Sequence, residues 1–386
     1  MIHAKQGLRL KSCACICFCL LHWATAFSAS APAADAFPLQ LEMRVPFEPT
    51  VFAADGRHFL TYELYITNFT PNSVTLRRLE ILDSEGPSDQ PLAAFDGKEL
   101  DVMLQAAQVP TPNGGVHAAQ LMPGSSVVAF VWVSLESTQR VLGVLRHRVT
   151  TSDGALVGAS TETHHTPLQV LSPPLQGNGW RSSDGPGNSP DNHHRRGIFL
   201  VDGRATLSRR YAIDWQQTRD GATFSGDARD RSAYYGYGKP VFAVAESTVI
   251  TAIDGRPENV PGHFENFRPA VPVTLDTAGG NTVVLALSDG QFAHYFHLQP
   301  GSLQVKSGDR VHSGQLLARI GASGDAREPH LHFEVTTSPK MLAGEGVPYL
   351  ITHFSTEQPD GSRKQHHLEL PLDQMLVDFN SPPQNP

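Results

Sequence analysis

Three side chains in two short segments have the types and spacing to share a metal ion. His330 and His332 flank Leu331 in a segment that favours a strand. Side chains at i and i+2 of a strand lie on one face, and their Cα atoms are roughly 6.6–7 Å apart. One such imidazole can bind a metal while the other faces water or substrate. Asp214 lies between apolar residues of YAIDW (211–215), where an unpaired buried carboxylate is costly, so it requires a cation. Aspartate with imidazole nitrogens is a ligand set suited to zinc.

A second histidine pair, His294 and His297, is three residues apart in QFAHYFHL (291–298). On a regular strand these two side chains point to opposite faces, so only one of them faces a given site. The same alternation places Tyr295 on the face of His297. We interpret His297 as the candidate for the site and His294 as a surface or core ring with satisfied hydrogen bonds.

Composition and motifs exclude several other classes of function. The 386-residue chain is 40% hydrophobic and 18% charged, which excludes a coiled coil and an acidic disordered tail. Its formal net charge of −8 removes the broad basic surface that nucleic acid requires, so we expect no nucleic-acid partner. Ser323 in GASGD lacks the G-x-S-x-G spacing of a serine hydrolase nucleophile. Gly236 and Gly238 do not complete the G-x-G-x-x-G loop of a dinucleotide-binding site.

The first 33 residues have the layout of a secretory signal peptide. Basic residues precede an apolar run over 12–27, and small residues follow it, so we expect cleavage near Ala33. All four cysteines lie inside that run, and the mature chain therefore forms no disulfide or thiolate metal site. We expect an exported protein, periplasmic or extracellular, with no membrane attachment after cleavage. A retained N-terminal anchor is the alternative.

The rest of the chain predicts an all-β protein with two domains. Residues 37–171 contain short strand patterns separated by turn formers, which favour an immunoglobulin-like β-sandwich. Residues 172–196 are rich in Pro, Gly, Asn and Ser and form a boundary segment. Strand patterns return over 197–380. The first domain is either a stabilising domain or a spacer that binds the cell wall or a cell-wall protein partner.

The motifs after the boundary resemble one family. Their order along the chain is YAIDW (211–215), GYGKPVFAVAESTVITAIDG (236–255), NTVVLALSDGQFAHYFHLQPGS (281–302), VKSGDRVHSGQLLARIGASGD (305–325) and PHLHFEV (329–335). This order resembles the lysostaphin-type zinc endopeptidases, the M23 peptidases with the duplicated hybrid motif fold. The resemblance implies an M23-type antiparallel β-sheet peptidase domain over 197–380, with zinc as cofactor and peptidoglycan peptides as substrate.

Carried over by position, the resemblance assigns roles to four residues. Asp214 matches the ligand aspartate, and His332 matches the ligand histidine that closes H-x-H. His330 and His297 match the two histidines that orient water and stabilise the developing oxyanion. The implied enzyme hydrolyses peptide bonds in peptidoglycan stem peptides or cross-bridges.

The chain departs from the family at the first metal ligand. The family has a histidine four residues before the aspartate, where this chain has Arg210, and a guanidinium offers donors only. If 210–214 form one strand, Arg210 shares a face with Asp214 and pairs with it in place of a metal. In one branch of the family the ligand comes from an H-R dipeptide upstream, which His194 and Arg195 match. His193 and His263 are the alternative ligands.

Two other functions remain open at this level. If Arg210 abolishes zinc binding, the domain is a catalytically inactive M23-like domain that binds peptidoglycan or regulates another cell-wall enzyme. Alternatively, zinc hydrolysis is retained and the substrate is a peptide outside the wall. No H-E-x-x-H motif is present, so a histidine must serve as the base.

Overall fold

Alternating and β-branched apolar segments form strands throughout the described chain. A computed structural model describes residues 38–87, 90–107, 118–136, 143–163, 168–262, 267–358 and 360–379. Strands account for most of the regular structure, which confirms the all-β prediction. The predicted signal peptide and its cysteines lie outside the described residues. No helix within the described ranges is long and apolar enough to cross a membrane.

The first half of the chain forms two antiparallel sheets that share one apolar core. Its elements are β1 Leu41–Arg44, β2 Phe52–Ala54, β3 Arg57–Asn68, β4 Val74–Asp83, β5 Ala93–Asp96, α1 Gly97–Met103, β6 Leu104–Ala106, β7 Gln120–Leu121, β8 Ser126–Leu135, β9 Val144–Thr151 and β10 Ala155–Glu162. One sheet has the order β1-β3-β8-β6 with β2 on β3, and the other has β10-β9-β4-β5 with β7 on β4. Tyr62 and Leu64 on β3 and Ile81 on β4 are fully buried between them. The immunoglobulin-like assignment stays a prediction.

The second half is built around one large sheet. Its strands are β11 Gln169–Leu171, β12 Gly177–Ser183, β13 Phe199–Val201, β14 Arg204–Thr206, β15 Ile213–Gln217, β16 Pro240–Phe242, β17 Ser247–Ile253, β18 Asn281–Ala286, β19 Phe292–Leu298, β20 Arg310–Val311, β21 Leu316–Arg319, β22 Leu331–Thr336, β23 Tyr349–Glu357, β24 Arg363–Glu369 and β25 Leu376–Phe379. Two 3-10 helices span Ser208–Tyr211 and Arg231–Ala233. Among the described residues the 11-stranded sheet has the order β11-β23-β25-β12-β15-β22-β19-β18-β17-β20, with β24 on β23.

The two halves share buried apolar contacts. Phe52 and Phe59 belong to the core of the large sheet, and the ring of Phe52 lies 5.4 Å from that of Tyr211. The predicted boundary segment contributes β12, which lies between β15 and β25 in the large sheet. Residues 39–386 form one compact unit. The division into two domains with a boundary at 172–196 therefore stays a prediction.

Candidate metal centre

The centre of the large sheet places an aspartate beside a histidine. In the register of β15 and β22, Asp214 lies opposite His332. Directly opposed residues on antiparallel strands have Cβ atoms about 4.5–5.5 Å apart, so their side chains meet. The Nδ1 atom of His332 lies 2.8 Å from Oδ1 of Asp214. Both side chains are buried, and the pair forms the floor of the candidate site.

His330 joins this pair from the residue preceding β22. Its Nδ1 donates to the carbonyl oxygen of Glu328 at 2.8 Å, which directs Nε2 toward the aspartate. That Nε2 lies 3.4 Å from Oδ1 of Asp214. His330 and His332 therefore both reach the same carboxylate, as their i, i+2 spacing predicts.

His297 reaches the site through an unusual backbone conformation. Its φ of 64° is left-handed, which is uncommon for a residue with a Cβ. Its ring centroid lies 4.7 Å from that of His330. Tyr295 instead packs in the core, where its hydroxyl accepts from the backbone N of Val244 at 3.0 Å. The expectation that Tyr295 shares the face of His297 is wrong, because the left-handed residue breaks the alternation.

The ring of His297 is held by two backbone carbonyls. Its Nδ1 donates to the oxygen of Ser323 at 2.9 Å, and its backbone N donates to the oxygen of Gly279 at 2.8 Å. Its Nε2 lies 3.5 Å from Oδ1 of Asp325. His294, by contrast, is fully buried and bonds through Nε2 to Thr336 and Ser338. His294 is therefore a core residue, but only its Nε2 is satisfied, because its Nδ1 is buried without a hydrogen-bond partner among the described residues.

His194 enters the site from the loop after β12. Ser183 at the end of β12 pairs with Asp214 in the sheet, and the chain then turns at Asp184, which has a φ of 48°. The loop returns so that His194 Nδ1 donates to the carbonyl oxygen of Asp184 at 2.9 Å. His194 Nε2 lies 3.6 Å from Oδ1 of Asp214, and the residue is 1% exposed.

Arg210 does not pair with Asp214. Residues 208–211 form a 3-10 helix, so Arg210 precedes the strand that carries Asp214 and does not share its face. Its Nη2 donates to Oε2 of Glu63 and to Oε2 of Glu345, both at 2.6 Å. The expected strand over 210–214 and its salt bridge are wrong, because two carboxylates and the Gly346 carbonyl bind the guanidinium elsewhere.

The two alternative ligands have different outcomes. His193 can group with His194 and Asp214 around one ion, since one potential ligand atom from each lies within 4.8 Å of the others. Its side chain is 53% exposed and its Nδ1 lies 3.1 Å from Oδ1 of Asp184. His193 therefore remains an alternative to His194. His263 lies outside the described residues.

Electrostatics in the site favour a positive charge beside the aspartate. Burial acts to raise the pKa of Asp214, but the imidazoles of His330 and His194 hold this pKa well below its usual range. Burial acts to lower the pKa of His332, but its contacts with Asp214 and Glu334 raise this pKa to about 9. Burial holds the pKa of His194 well below its usual range, so its ring is neutral.

The side chains of His194, Asp214 and His332 have the chemistry of zinc ligands. Among the described residues, His194 Nε2 is buried without a hydrogen-bond partner, and its tautomer is set because Nδ1 donates to Asp184. Beside Asp214 the metal-free His332 is protonated, and a metal ion would replace the proton on its Nδ1. Its Nε2 faces Oε2 of Glu334 at 3.4 Å. Two imidazoles and one carboxylate match the protein ligands of catalytic zinc sites.

The centre lies in a cleft of about 640 Å³. Besides the histidines and Asp214, charged side chains line it, including Arg209, Asp325, Arg327 and Glu328. Phe296 and Phe267 contribute apolar walls. The cleft is large enough to receive a peptide segment next to the three candidate ligands.

Sequence reasoning missed two groups that support the centre. Glu334 is buried and backs His332, and its i+2 spacing from His332 on one strand face is a signal that could have found it. The carbonyl of Asp184 backs His194, but no sequence pattern marks a backbone oxygen. Both groups act on the second nitrogen of a candidate ligand.

Comparisons with known proteins locate a family domain in this half of the chain. Residues 232–343 match the model of Peptidase family M23. This range contains His297, His330 and His332, whereas Asp214 and His194 precede it. The peptidase resemblance identified from the motifs is thereby confirmed.

Two curated relatives match short parts of the chain. Glycyl-glycine endopeptidase ALE-1 of Staphylococcus capitis is 41% identical over 75 residues, which are 19% of this chain and 20% of that protein. Cell division protein DipM of Caulobacter vibrioides (strain NA1000 / CB15N) is 40% identical over 62 residues, 16% of this chain and 10% of that protein. The matches thus span a fifth or less of each relative.

A solved structure is also similar. The catalytic domain of the antimicrobial peptidase lysostaphin from Staphylococcus simulans is 20% identical with a TM-score of 0.24, covering 44% of this chain and 86% of that domain.

Proposed function

We propose, from the match of residues 232–343 to the model of Peptidase family M23, that this chain is an exported zinc endopeptidase that hydrolyses peptide bonds in peptidoglycan. The bonds lie in stem peptides or cross-bridges. One observation carries the proposal. His194 Nε2 is buried without a hydrogen-bond partner among the described residues and faces Asp214 at 3.6 Å, while the guanidinium of Arg210 is bound by Glu63 and Glu345.

The proposed ligands are His194, Asp214 and His332. A zinc ion held by them would lower the pKa of its bound water toward ~7 and would polarise a scissile carbonyl. The chain supports each imidazole ligand through its other nitrogen, since Asp184 accepts from His194 and Glu334 faces His332. The hydrogen bond to Asp184 fixes the orientation and tautomer of the His194 ring, and the Glu334 carboxylate orients the His332 ring.

Proton transfer falls to the two histidines that do not bind the metal. Each donates through Nδ1 to a backbone carbonyl, His330 to Glu328 and His297 to Ser323. Each Nε2 is therefore directed away from its own supporting loop and toward the charged groups of the cleft. One ring can take a proton from attacking water while the other stabilises the oxyanion or protonates the leaving amine. Groups of this kind contribute on the order of 10²–10³ in rate.

Metal analysis of the mature protein tests the ligand set. We expect about one zinc per chain in the wild type and loss of zinc in His332→Ala and His194→Ala. His193→Ala is the matched control, because it removes the neighbouring imidazole of the same dipeptide. Full zinc occupancy in His194→Ala, together with loss of zinc in His193→Ala, would show that His193 is the ligand. Absence of zinc from the folded wild type would contradict the proposal and favour the inactive, peptidoglycan-binding alternative.

Digestion of purified sacculi tests the substrate. We expect the zinc-loaded wild type to release soluble muropeptides, and His330→Ala to bind zinc but release them on the order of 10²–10³ more slowly. If unrelated peptides are cleaved while the sacculi stay intact, the substrate is a peptide outside the wall. The predicted signal peptide supports export, and expression of the full chain followed by cell fractionation checks it.

A further inference from the structure

We propose that Glu63, on β3 of the first half of the chain, positions His194 for metal binding. This inference rests on the proposed zinc site and adds a residue to it from outside the matched peptidase domain. Glu63 is 4% exposed and carries the carboxylate between Arg195 and Arg210. It acts through these two arginines and does not itself enter the cleft.

Arg195 connects Glu63 directly to the metal-binding loop. It follows His194 in the chain, is 1% exposed, and its Nη1 donates to Oε1 of Glu63. Its Nη2 donates to the backbone oxygens of Tyr62 at 3.0 Å and Val131 at 3.1 Å. The side chain of Arg195 is therefore fixed on β3 and β8, and its backbone fixes the adjacent His194.

Arg210 is bound by the same carboxylate. Its Nε donates to both oxygens of Glu63 at 3.2 Å, and its Nη1 donates to the oxygen of Gly346 at 2.8 Å. Glu63 thus binds both Arg210 and the residue that follows the proposed ligand His194.

Charge balance makes this arrangement sensitive to Glu63. Two buried guanidinium groups face two carboxylates, those of Glu63 and Glu345. Burial raises the free energy of the charged carboxylate, but Arg210 and Arg195 lower the pKa of Glu63 to about 2. Removing one partner of a buried pair leaves a charge without compensation, and the remaining groups must move. Arg195 follows His194 directly, so a shift of its side chain displaces the loop that carries the proposed ligand.

Other contacts of that loop also come from the first half of the chain. Asn188 Nδ2 donates to the oxygen of Phe130 at 3.0 Å, and Arg196 Nη1 donates to the oxygen of Met103 at 3.2 Å. The first two sheets therefore support one side of the metal site. This positioning role is distinct from the predicted role in binding the wall or a partner.

Zinc affinity of Glu63→Gln tests the inference. The variant keeps the shape of the side chain and removes its charge. We expect zinc to bind 10–100-fold more weakly, the range for residues that support metal ligands. Affinity is measured on full-length protein by competition with a chromophoric chelator, at a temperature where circular dichroism shows the metal-free variant folded. The visible absorption of the Co²⁺-loaded protein reports ligand geometry and should also change.

Glu80→Gln is the matched control. Glu80 lies on β4, is buried, and forms its ion pairs with Arg78 and Arg148 in the same sheet. We expect its zinc affinity to equal that of the wild type. If Glu63→Gln does not fold, Arg195→Lys decides, since it keeps the positive charge and loses the forked bonds to Tyr62 and Val131.

The outcomes separate this inference from the proposed function. Wild-type zinc affinity and an unchanged Co²⁺ spectrum in folded Glu63→Gln, or in Arg195→Lys, would overturn the inference while leaving the zinc site intact. A folded wild type that binds no zinc would overturn the proposed function, and the inference with it. Weaker binding in Glu63→Gln but not in Glu80→Gln would support the inference.

Discussion

Gly324 is the position where a single methyl group should separate peptide hydrolysis from metal binding. Its φ is +76°, and a Cβ built there would lie 2.2 Å from the oxygen of Ala278 and 2.4 Å from the nitrogen of Gly280. Both are backbone atoms, which cannot rotate away. Gly324→Ala must therefore displace segment 278–280 or segment 323–325. These two segments hold His297 through the carbonyls of Gly279 and Ser323.

The expected cost to stability combines two effects. Alanine in a left-handed conformation costs about 1–2 kcal/mol, and overpacking a buried site costs a further 1–3 kcal/mol, roughly. We expect Gly324→Ala to lower the free energy of unfolding by about 2–5 kcal/mol in urea titrations. Gly290→Ala is the matched control, because its φ is +67° and no described atom lies within 4 Å of its built Cβ. The free energy of unfolding of Gly290→Ala should fall only by the cost of placing alanine in a left-handed conformation.

The effect on function should be selective. A displacement of about 1 Å at a catalytic group can cost on the order of 10² in rate. The proposed ligands Asp214 and His332 lie on β15 and β22, outside segments 278–280 and 323–325, so zinc occupancy should stay at the wild-type level. We therefore expect muropeptide release to fall about 10²-fold with zinc retained. A Gly324→Ala protein as stable as Gly290→Ala, and as active as wild type, would refute the reasoning.

Three further predictions follow from buried polar groups. Glu334→Gln should weaken zinc binding 10–100-fold, because its carboxylate backs His332 at 3.4 Å; equal affinity in a chelator competition would contradict this. His297→Ala should retain zinc and hydrolyse sacculi on the order of 10²–10³ more slowly, and zinc loss would instead show that it is a ligand. Burial lowers the pKa of His147 from 6.5 to about 4, and its neutral ring bonds to the Tyr62 hydroxyl at 2.8 Å. As pH falls, His147 is therefore protonated in the unfolded chain before it is protonated in the folded one. Its contribution to stability is fully present above pH 6.5 and is lost as pH falls toward 4. Between these pH values the free energy of unfolding of the wild type should fall by about 3 kcal/mol more than that of His147→Gln, as measured by urea unfolding. Equal pH dependence in the two proteins would refute this prediction.

Local patterns predicted several of the strands. Segments such as 126–135 and 144–151 are rich in apolar and β-branched residues, and each forms a strand over those residues. The i, i+2 spacing of His330 and His332 likewise placed both rings beside one carboxylate. These features depend on near neighbours in the chain, which a strand places on one face whatever surrounds it.

The same alternation failed where tertiary contacts override it. RRYAIDW (209–215) reads as one strand, but Arg210 is drawn to Glu63 and Glu345, and the strand begins only at Ile213. Alternation places Tyr295 on the face of His297, yet the left-handed backbone at His297 turns its ring into the cleft while Tyr295 packs in the core. Neither departure is marked by a glycine or proline at these positions, so no local signal predicts it.

The amino-acid sequence by itself determined the all-β class, the peptidase motifs, and the i, i+2 spacing of His330 and His332. Only the tertiary structure decided that Asp214 lies opposite His332, that His194 approaches Asp214 and that Arg210 leaves the site. The physical reason is sequence separation. Arg195 and Glu63 are 132 residues apart, and Arg210 and Glu63 are 147 apart. Contacts at that distance depend on how sheets pack, and no residue spacing encodes them.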